Sequence, residues 1–121
     1  MLKAINHIQI TIPSGAQEDA KAFYCNVLGL SEIKKPTTLE GNGSIWLGLG
    51  DVAIHFAIEN ENYRAFTSAH IAYEVDDLDM YKKTLEDNGF IIKKSIQIPN
   101  VKRFEFRDPF GNQIELMERI E

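Results

Sequence analysis

The stretch NHIQITI (6–12) alternates between polar and apolar side chains from His7 onward. Because successive side chains of a β-strand point to opposite faces of a sheet, this pattern predicts a strand with one buried face. The isoleucines occupy that face, and a histidine opens the other. AHIAYEV (69–75) repeats the pattern, with a histidine in the corresponding place. The two stretches indicate two related sheets.

The segments after the two stretches share a predicted order, which is one helix and then three strands. The first helix is predicted from Ser14, as its N-cap, to about Leu28, and the second from Asp76 or Asp77 to a stop at Asn88-Gly89. The predicted strands are LSEIKK (30–35), SIWLGLG (44–50) and DVAIHFAIE (51–59) in the first copy, and FIIKKS (90–95), KRFEFR (102–107) and NQIELME (112–118) in the second.

These elements predict an α+β fold made of two βαβββ modules within a single domain, 1–121. The first module is predicted at about 1–59, a linker at about 60–68, and the second module at about 69–121. If the helices cover the apolar faces, the opposite faces form a cup-shaped, barrel-like mixed sheet with the helices outside.

Length and composition bound the class of protein. The 121 residues suffice for one compact domain, and 44% hydrophobic with 26% charged residues is typical of a soluble globular protein. A net charge of −5 argues against a nucleic-acid partner, which needs a basic surface. No apolar run is long enough to span a membrane, and the first residues lack the apolar core of a signal peptide. Because Cys25 is the sole cysteine, no internal disulfide can form, and a cytoplasmic location is expected.

Three histidines and one glutamate occupy matching places in the two copies. His7 and His70 open the first strand of each copy. His55 and Glu115 each lie 26 residues after the glycine that ends the helix of their own copy. All four side chains lie opposite the apolar face of their strand, so the pattern predicts that they line the cup.

This set of side chains indicates a metal site. Three imidazoles and one carboxylate suit a borderline divalent ion such as Zn²⁺, Ni²⁺, Co²⁺, Mn²⁺ or Fe²⁺. Any one of the histidines alone is more simply explained as a hydrogen-bonded surface or core group. Because the candidates agree in facing and spacing, we expect the metal ligands to be His7, His55, His70 and Glu115.

Four stretches carry a resemblance to a known family. They are NHIQITI (6–12), FYCNVLGL (23–30), AHIAYEV (69–75) and DPFGNQIELME (108–118), of which the last is the most specific. They resemble the vicinal oxygen chelate superfamily, which includes glyoxalase I, extradiol dioxygenases, fosfomycin-resistance proteins, methylmalonyl-CoA epimerase and bleomycin-resistance proteins. The resemblance implies paired βαβββ modules and a metal to which oxygen atoms of the substrate bind directly. It maps the common metal triad of the superfamily onto His7, His70 and Glu115.

Position 55 departs from that family. The resemblance places His55 at a fourth ligand position, where bacterial glyoxalase I has a glutamate and the epimerase has a glutamine. Since glutamate ligands are the proton-transfer groups that the resemblance to glyoxalase I implies, Glu115 or His55 is the expected catalytic group here. The expected function is that of a glyoxalase-like lyase or isomerase, which acts on a small oxygen-rich metabolite by metal-stabilised enediolate and proton-transfer chemistry.

Three further side chains are expected on the same side of the sheets. Gln9 is a candidate for contact with a ligand residue or with substrate. Trp46 either walls an apolar or aromatic part of a ligand or simply closes the rim of the sheet. Arg103 either holds a carboxylate or phosphonate of the substrate or belongs to a solvated charge pattern with Glu105.

Other functions stay open on the sequence. An extradiol dioxygenase would hold Fe²⁺ with two histidines and one carboxylate, which leaves His55 as an acid–base group. A fosfomycin-type thiol transferase would use the same triad with more cationic groups than Arg103 alone. A non-catalytic resistance protein of the bleomycin type would bind a ligand without a complete metal set.

A homodimer is also expected. The open sheet edges of each module favour pairing with a partner. In small members of the superfamily that the sequence resembles, the two halves of the site commonly meet across a dimer. The expected partners are therefore a small-molecule substrate and a second copy of the chain, with no nucleic acid and no membrane.

Overall fold

The computed structural model describes residues 1–120, which form two compact units, one spanning Met1–Asn62 and one beginning at Tyr63. Each unit is a βαβββ module with a four-stranded mixed sheet, so the predicted α+β class and the two modules are confirmed. The final residue of the predicted second module, Glu121, lies outside the described residues. Within 1–120, no helix is long and apolar enough to cross a membrane.

The sheet of the first unit has the strand order β1-β4-β3-β2. Its strands are β1 (His7–Ile12), β2 (Ser31–Glu32), β3 (Ile45–Leu49) and β4 (Val52–Ile58). β1 runs parallel to β4, and the other neighbours are antiparallel. The apolar face is buried under the helix, where the ring of Tyr24 meets Phe56 edge-on with 4.7 Å between centroids. The opposite face is left for polar side chains.

The helix of the first unit differs from the prediction for 14–28. It consists of α1 (Gln17–Lys21), which continues as a π-helical turn over Ala22–Val27. Ser14 is not the N-cap, because a turn separates it from the helix and no side chain caps the first helical amides. The amide of Ser14 instead donates to Asn60 Oδ1 at 2.8 Å. That hydrogen bond fastens the end of β1 to the residue two positions after β4.

The second unit repeats the arrangement with the order β5-β8-β7-β6. Its elements are β5 (His70–Glu74), α2 (Leu78–Asp87), β6 (Lys93–Lys94), β7 (Val101–Arg107) and β8 (Gln113–Arg119). β5 runs parallel to β8. The side chain of Asp77 accepts a hydrogen bond from the amide of Met80 at 3.1 Å, which confirms Asp77 as the N-cap of α2.

Two predicted strands are much shorter than the sequence pattern indicates. LSEIKK (30–35) contributes only β2, and FIIKKS (90–95) contributes only β6. Both are edge strands with exposed side chains and one neighbour each. A strand at an edge has a ladder on one side only, so its pairing ends early.

The predicted linker 60–68 is partly structured and belongs in part to the second unit. It contains a 3-10 turn, Arg64–Phe66, and Arg64 is buried. Arg107 fixes this segment by donating to the carbonyls of Arg64 and Thr67 at 3.0 and 3.2 Å. The segment is therefore part of the packing around the end of β7.

The turn between β7 and β8 packs against this segment. Asp108 is buried, and its Oδ1 accepts hydrogen bonds from the amides of Phe110 and Asn112 at 2.9 and 2.8 Å. Gly111 has φ of 101°, and a Cβ atom there would lie 3.0 Å from the backbone nitrogen of Ala65. Glycine is required at this position both for the backbone conformation and for the close approach.

Candidate metal centre

The sheet registers place the four predicted ligands at equivalent positions. In the first unit, His55 of β4 pairs with the residue two positions after His7 in β1. In the second unit, Glu115 of β8 pairs with the residue two positions after His70 in β5. Because side chains alternate along a strand, each pair of candidates lies on one face of its own sheet.

Three aromatic rings are stacked across the sheet of the first unit. The ring centroid of His55 lies 4.1 Å from that of His7 and 3.9 Å from that of Trp46, with interplanar angles of 17° and 6°. Since β4 lies between β1 and β3, His55 is held between the other two rings. Burial lowers the pKa of His55, and the neighbouring His7 lowers this pKa further. The imidazole of His55 is therefore neutral at pH 7 and carries a lone pair.

The second imidazole of the first unit is oriented by its neighbour in the chain. The Nδ1 atom of His7 lies 2.9 Å from Oδ1 of Asn6. Because an amide oxygen only accepts hydrogen bonds, Nδ1 carries the proton and donates it. The Nε2 atom of His7 then has the lone pair and is the atom available to a metal.

His70 is oriented in the same way in the second unit. Its Nδ1 donates to the carbonyl oxygen of Ser68 at 2.9 Å, which leaves Nε2 facing Oε1 of Glu115 at 3.1 Å. The hydrogen bond to Ser68 raises the pKa of His70, and Glu115 raises this pKa as well, against an opposing effect of burial. The Nε2 lone pair of His70 and the carboxylate oxygen of Glu115 are both electron-rich. Because they would repel each other at this distance, a proton or a metal ion must lie between them.

The spacing of these two atoms fits either a hydrogen bond or two ligands of one metal ion. Ligand bonds to zinc are about 2.0–2.2 Å long for both imidazole nitrogen and carboxylate oxygen. Two such bonds at an angle between 90° and 109° separate their ligand atoms by roughly 3 Å. The contact of 3.1 Å between His70 Nε2 and Glu115 Oε1 lies in that range.

The other oxygen of Glu115 faces an arginine. Glu115 is 7% exposed, and its Oε2 lies 3.4 Å from Nη1 of Arg103. Arg103 also donates from Nε and Nη2 to the carbonyl of Ile96, at 3.1 and 2.6 Å. The guanidinium thus compensates the charge of Glu115 and is itself fixed by the backbone.

Each unit contains two of the four candidate metal ligands, so neither unit by itself has all four. Among residues 1–120, no three His, Cys, Asp or Glu side chains group closely enough to hold one metal ion. Gln9 lies beside His55 in the register of β1 with β4, on the exposed side of the sheet. Trp46 lies on the other side of His55, in β3.

Sequence reasoning missed the groups that orient the histidines. Asn6 directly precedes His7 in the chain, so the sequence could have identified its side-chain amide as a hydrogen-bond partner of the imidazole. The carbonyl oxygen of Ser68 belongs to the backbone, so the residue type at position 68 does not predict its hydrogen bond to His70. Glu105 accepts from Gln113 Nε2 and from Ser95 Oγ, so it belongs to a hydrogen-bonded network in place of the solvated charge pattern considered as one alternative.

Comparison of the sequence with known families decides the family. The sequence profile of the Glyoxalase/Bleomycin resistance protein/Dioxygenase superfamily matches residues 4–116. The chain belongs to this superfamily.

Relatives in this superfamily share the fold over nearly the whole chain. The structure of a glyoxalase family protein from Bacillus anthracis is 37% identical, with a TM-score of 0.88 over 98% of this chain and 97% of that one. Glyoxylase I 4 of Arabidopsis thaliana is 27% identical over 95% of this chain and 70% of its own length. The fosfomycin resistance protein FosX of Listeria monocytogenes, solved with Mn(II) and sulfate, is 18% identical, with a TM-score of 0.80 over 98% of this chain and 92% of that one.

Proposed function

We propose that this protein is a divalent-metal-dependent enzyme of the glyoxalase-like kind that moves a proton on a small oxygen-rich metabolite. In this proposal both units act together as one domain, and the ligands are His7, His55, His70 and Glu115. The observation that carries the proposal is the convergence of His70 Nε2 and Glu115 Oε1 at 3.1 Å. When bound, a Zn²⁺, Ni²⁺, Co²⁺, Mn²⁺ or Fe²⁺ ion would withdraw electron density from substrate oxygen atoms and acidify the adjacent C–H bond.

The proposed proton carriers are Glu115 and His55. The carboxylate of Glu115 lies beside the guanidinium of Arg103, and it can accept a proton from a substrate carbon and return it to the adjacent carbon. His55, whose pKa is lowered by burial, is the alternative proton carrier; it accepts a proton only when its lone pair is not bound to the metal, in which case His7, His70 and Glu115 are the ligands. The net reaction is an isomerisation in which no atom is gained or lost.

Two other side chains are proposed to contact substrate. Gln9 lies beside His55 in the sheet and offers an amide to a polar group of the substrate. Arg103 offers positive charge beside Glu115, where it would attract a developing negative charge on substrate oxygen. The third candidate, Trp46, adjoins His55.

The direct test is exchange of a substrate C–H hydrogen for deuterium. Protein loaded separately with each of the five metals is incubated in D₂O with α-hydroxyketones, α-ketoaldehydes and epimerisable acids, and exchange is followed by NMR. The proposal predicts exchange with at least one metal, and its loss in Glu115→Gln. Oxygen consumption with Fe²⁺ and a catechol, without exchange, would instead support a dioxygenase.

We further propose that the four ligands come together in a homodimer, with one pair from each of two chains. Two double variants test this: His7→Ala with His55→Ala, and His70→Ala with Glu115→Ala. Under this proposal, neither double variant binds metal by itself. When the two are refolded together at equal amounts, about half of the dimers are mixed and each mixed dimer regains one of its two sites, so metal binding returns to about a quarter of the wild-type level. Failure to regain metal, with wild type binding normally, would place all four ligands in one chain.

A further inference from the structure

The first unit contains a cleft beside its two histidines, and we propose that it binds an uncharged aromatic or branched apolar substituent of the substrate. This inference rests on the proposed function and adds the class of substrate to it. The cleft has a volume of about 520 Å³. A cavity of this size accommodates a small organic ligand and exceeds what a two- or three-carbon metabolite would fill.

The cleft changes from polar to apolar across the sheet. His7 and His55 lie on β1 and β4, Trp46 follows on the neighbouring β3, and Ile33 and Leu39 complete the lining. The amide of Ile33 donates to the carbonyl of Trp46 at 3.0 Å, which sets Ile33 next to the indole at the edge of the sheet. A ligand with its oxygen atoms on the histidines would therefore extend its other end over apolar side chains.

Leu39 approaches the cleft from a loop. It ends the 3-10 turn Thr37–Leu39, which follows Pro36. Leu39 and Ile33 are each 38% exposed, so both leave apolar surface in contact with water. Covering that surface with an apolar substituent is favourable, because burial of apolar area releases hydration water.

A glycine allows close packing at the base of the cleft. Gly48 lines the cleft beside Ile33, and a Cβ atom at Gly48 would lie 3.0 Å from Cγ2 of Ile33. A larger residue would push Ile33 away from the sheet or fill the space between Ile33 and Trp46. The absence of a side chain at 48 therefore lets Ile33 lie close against the sheet as part of the apolar wall.

The charges of the cleft exclude an anionic substituent. Among the described residues that line it there is no lysine or arginine, and Asp51 carries its one formal charge. A carboxylate or phosphate placed there would lose its hydration without gaining a counter-charge.

The second unit carries charged side chains at the matching positions of its sheet. By sheet register, Glu105 takes the place of Trp46, Arg107 the place of Gly48, and Lys93 lies beside Glu105 at the edge. All three line a cleft of about 440 Å³. At these register positions the first unit thus has Trp46 and Gly48 where the second unit has charged side chains.

Three hydroxamates with the same pair of chelating oxygens test the inference. They are benzohydroxamate, acetohydroxamate and succinohydroxamate, which carry a phenyl, a methyl and a carboxylate tail. Each is titrated calorimetrically into Co²⁺-loaded wild-type protein. We expect benzohydroxamate to bind about tenfold more tightly than acetohydroxamate. Succinohydroxamate is expected to bind no more tightly than acetohydroxamate.

Variants locate the source of that preference. In Trp46→Ala, the phenyl preference, which is the ratio of the affinities of that variant for benzohydroxamate and acetohydroxamate, is expected to fall to about twofold. Leu39→Ser is expected to lower the preference about threefold without touching either histidine. Leu49→Ser is the matched control, because Leu49 is a 48% exposed leucine of the same unit that does not line the cleft.

The outcomes separate this inference from the proposed function. Co²⁺ uptake without a phenyl preference overturns the inference and leaves the function standing. A preference that survives in both Trp46→Ala and Leu39→Ser also overturns it. Absence of Co²⁺ uptake by wild type overturns the proposed function, and with it the inference.

Discussion

The two units have the same strand order and register but different chemistry at the matching positions. In the first unit, His55 is held between the rings of His7 and Trp46. In the second, Glu115 is held between His70 and Arg103 by hydrogen bonds and charge. The comparison teaches that backbone register alone fixes where candidate ligands lie, whereas the side chains beside each ligand determine what that half of a site can do.

The largest effect is expected on metal affinity, from a change to Glu115 in the second unit. Glu115→Gln keeps the shape of the side chain and removes its charge, so metal affinity should fall by more than the roughly 10–100-fold typical of losing an outer partner of a ligand. Metal affinity is measured by competition with a chromophoric chelator. Glu105→Gln is the control, because Glu105 lies opposite Glu115 in the register of β7 with β8. Equal losses in both variants would mean that local charge, and not ligation, controls uptake.

The turns that join the last two strands of each unit differ in their tolerance of a side chain. Gly111→Ala introduces a Cβ atom 3.0 Å from the backbone of Ala65, whereas Gly50, with φ of 57°, has no atom within 4 Å of that position. We expect Gly111→Ala to lower the free energy of unfolding by about 3 kcal/mol and Gly50→Ala by about 1 kcal/mol, from urea titrations. Similar losses would show that the turn of the second unit is not held by this close approach.

The smallest expected effect distinguishes the starts of the two helices. Asp77 accepts from the amide of Met80, so Asp77→Ala should cost about 1 kcal/mol of stability. Ser14 makes its hydrogen bond through its backbone amide, so Ser14→Ala should change stability by less than about 0.5 kcal/mol. The urea midpoints of the two variants are compared. A larger loss of stability for Ser14→Ala than for Asp77→Ala would show that Ser14 caps its helix.

Much of this arrangement was predictable because it depends on local pattern. The alternation in β1 and β5 assigned the faces of the strands, and equal spacing from the helix ends placed His55 and Glu115 at matching positions. Asp77 directly precedes a helical pattern, so its capping role follows from its neighbours in the sequence. These features need only the periods of strands and helices.

What sequence could not predict depends on contacts across the chain. The π-helical turn over Ala22–Val27 and the early ends of β2 and β6 reflect packing and edge pairing, which local propensity does not encode. The pairing of Arg103 with both Glu115 and the carbonyl of Ile96 required the register of β7 with β8 and the path of the preceding loop. The carbonyl of Ser68 that orients His70 has no signature in the sequence.

The metal content of three proteins tests the central claim most directly. Wild type and the two double variants, His7→Ala with His55→Ala and His70→Ala with Glu115→Ala, are loaded with Co²⁺, freed of excess metal and analysed for cobalt per chain. A site that needs both ligand pairs should hold about one ion per chain in wild type and none in either double variant. Full retention of cobalt by either double variant would contradict a site that needs a ligand pair from each unit.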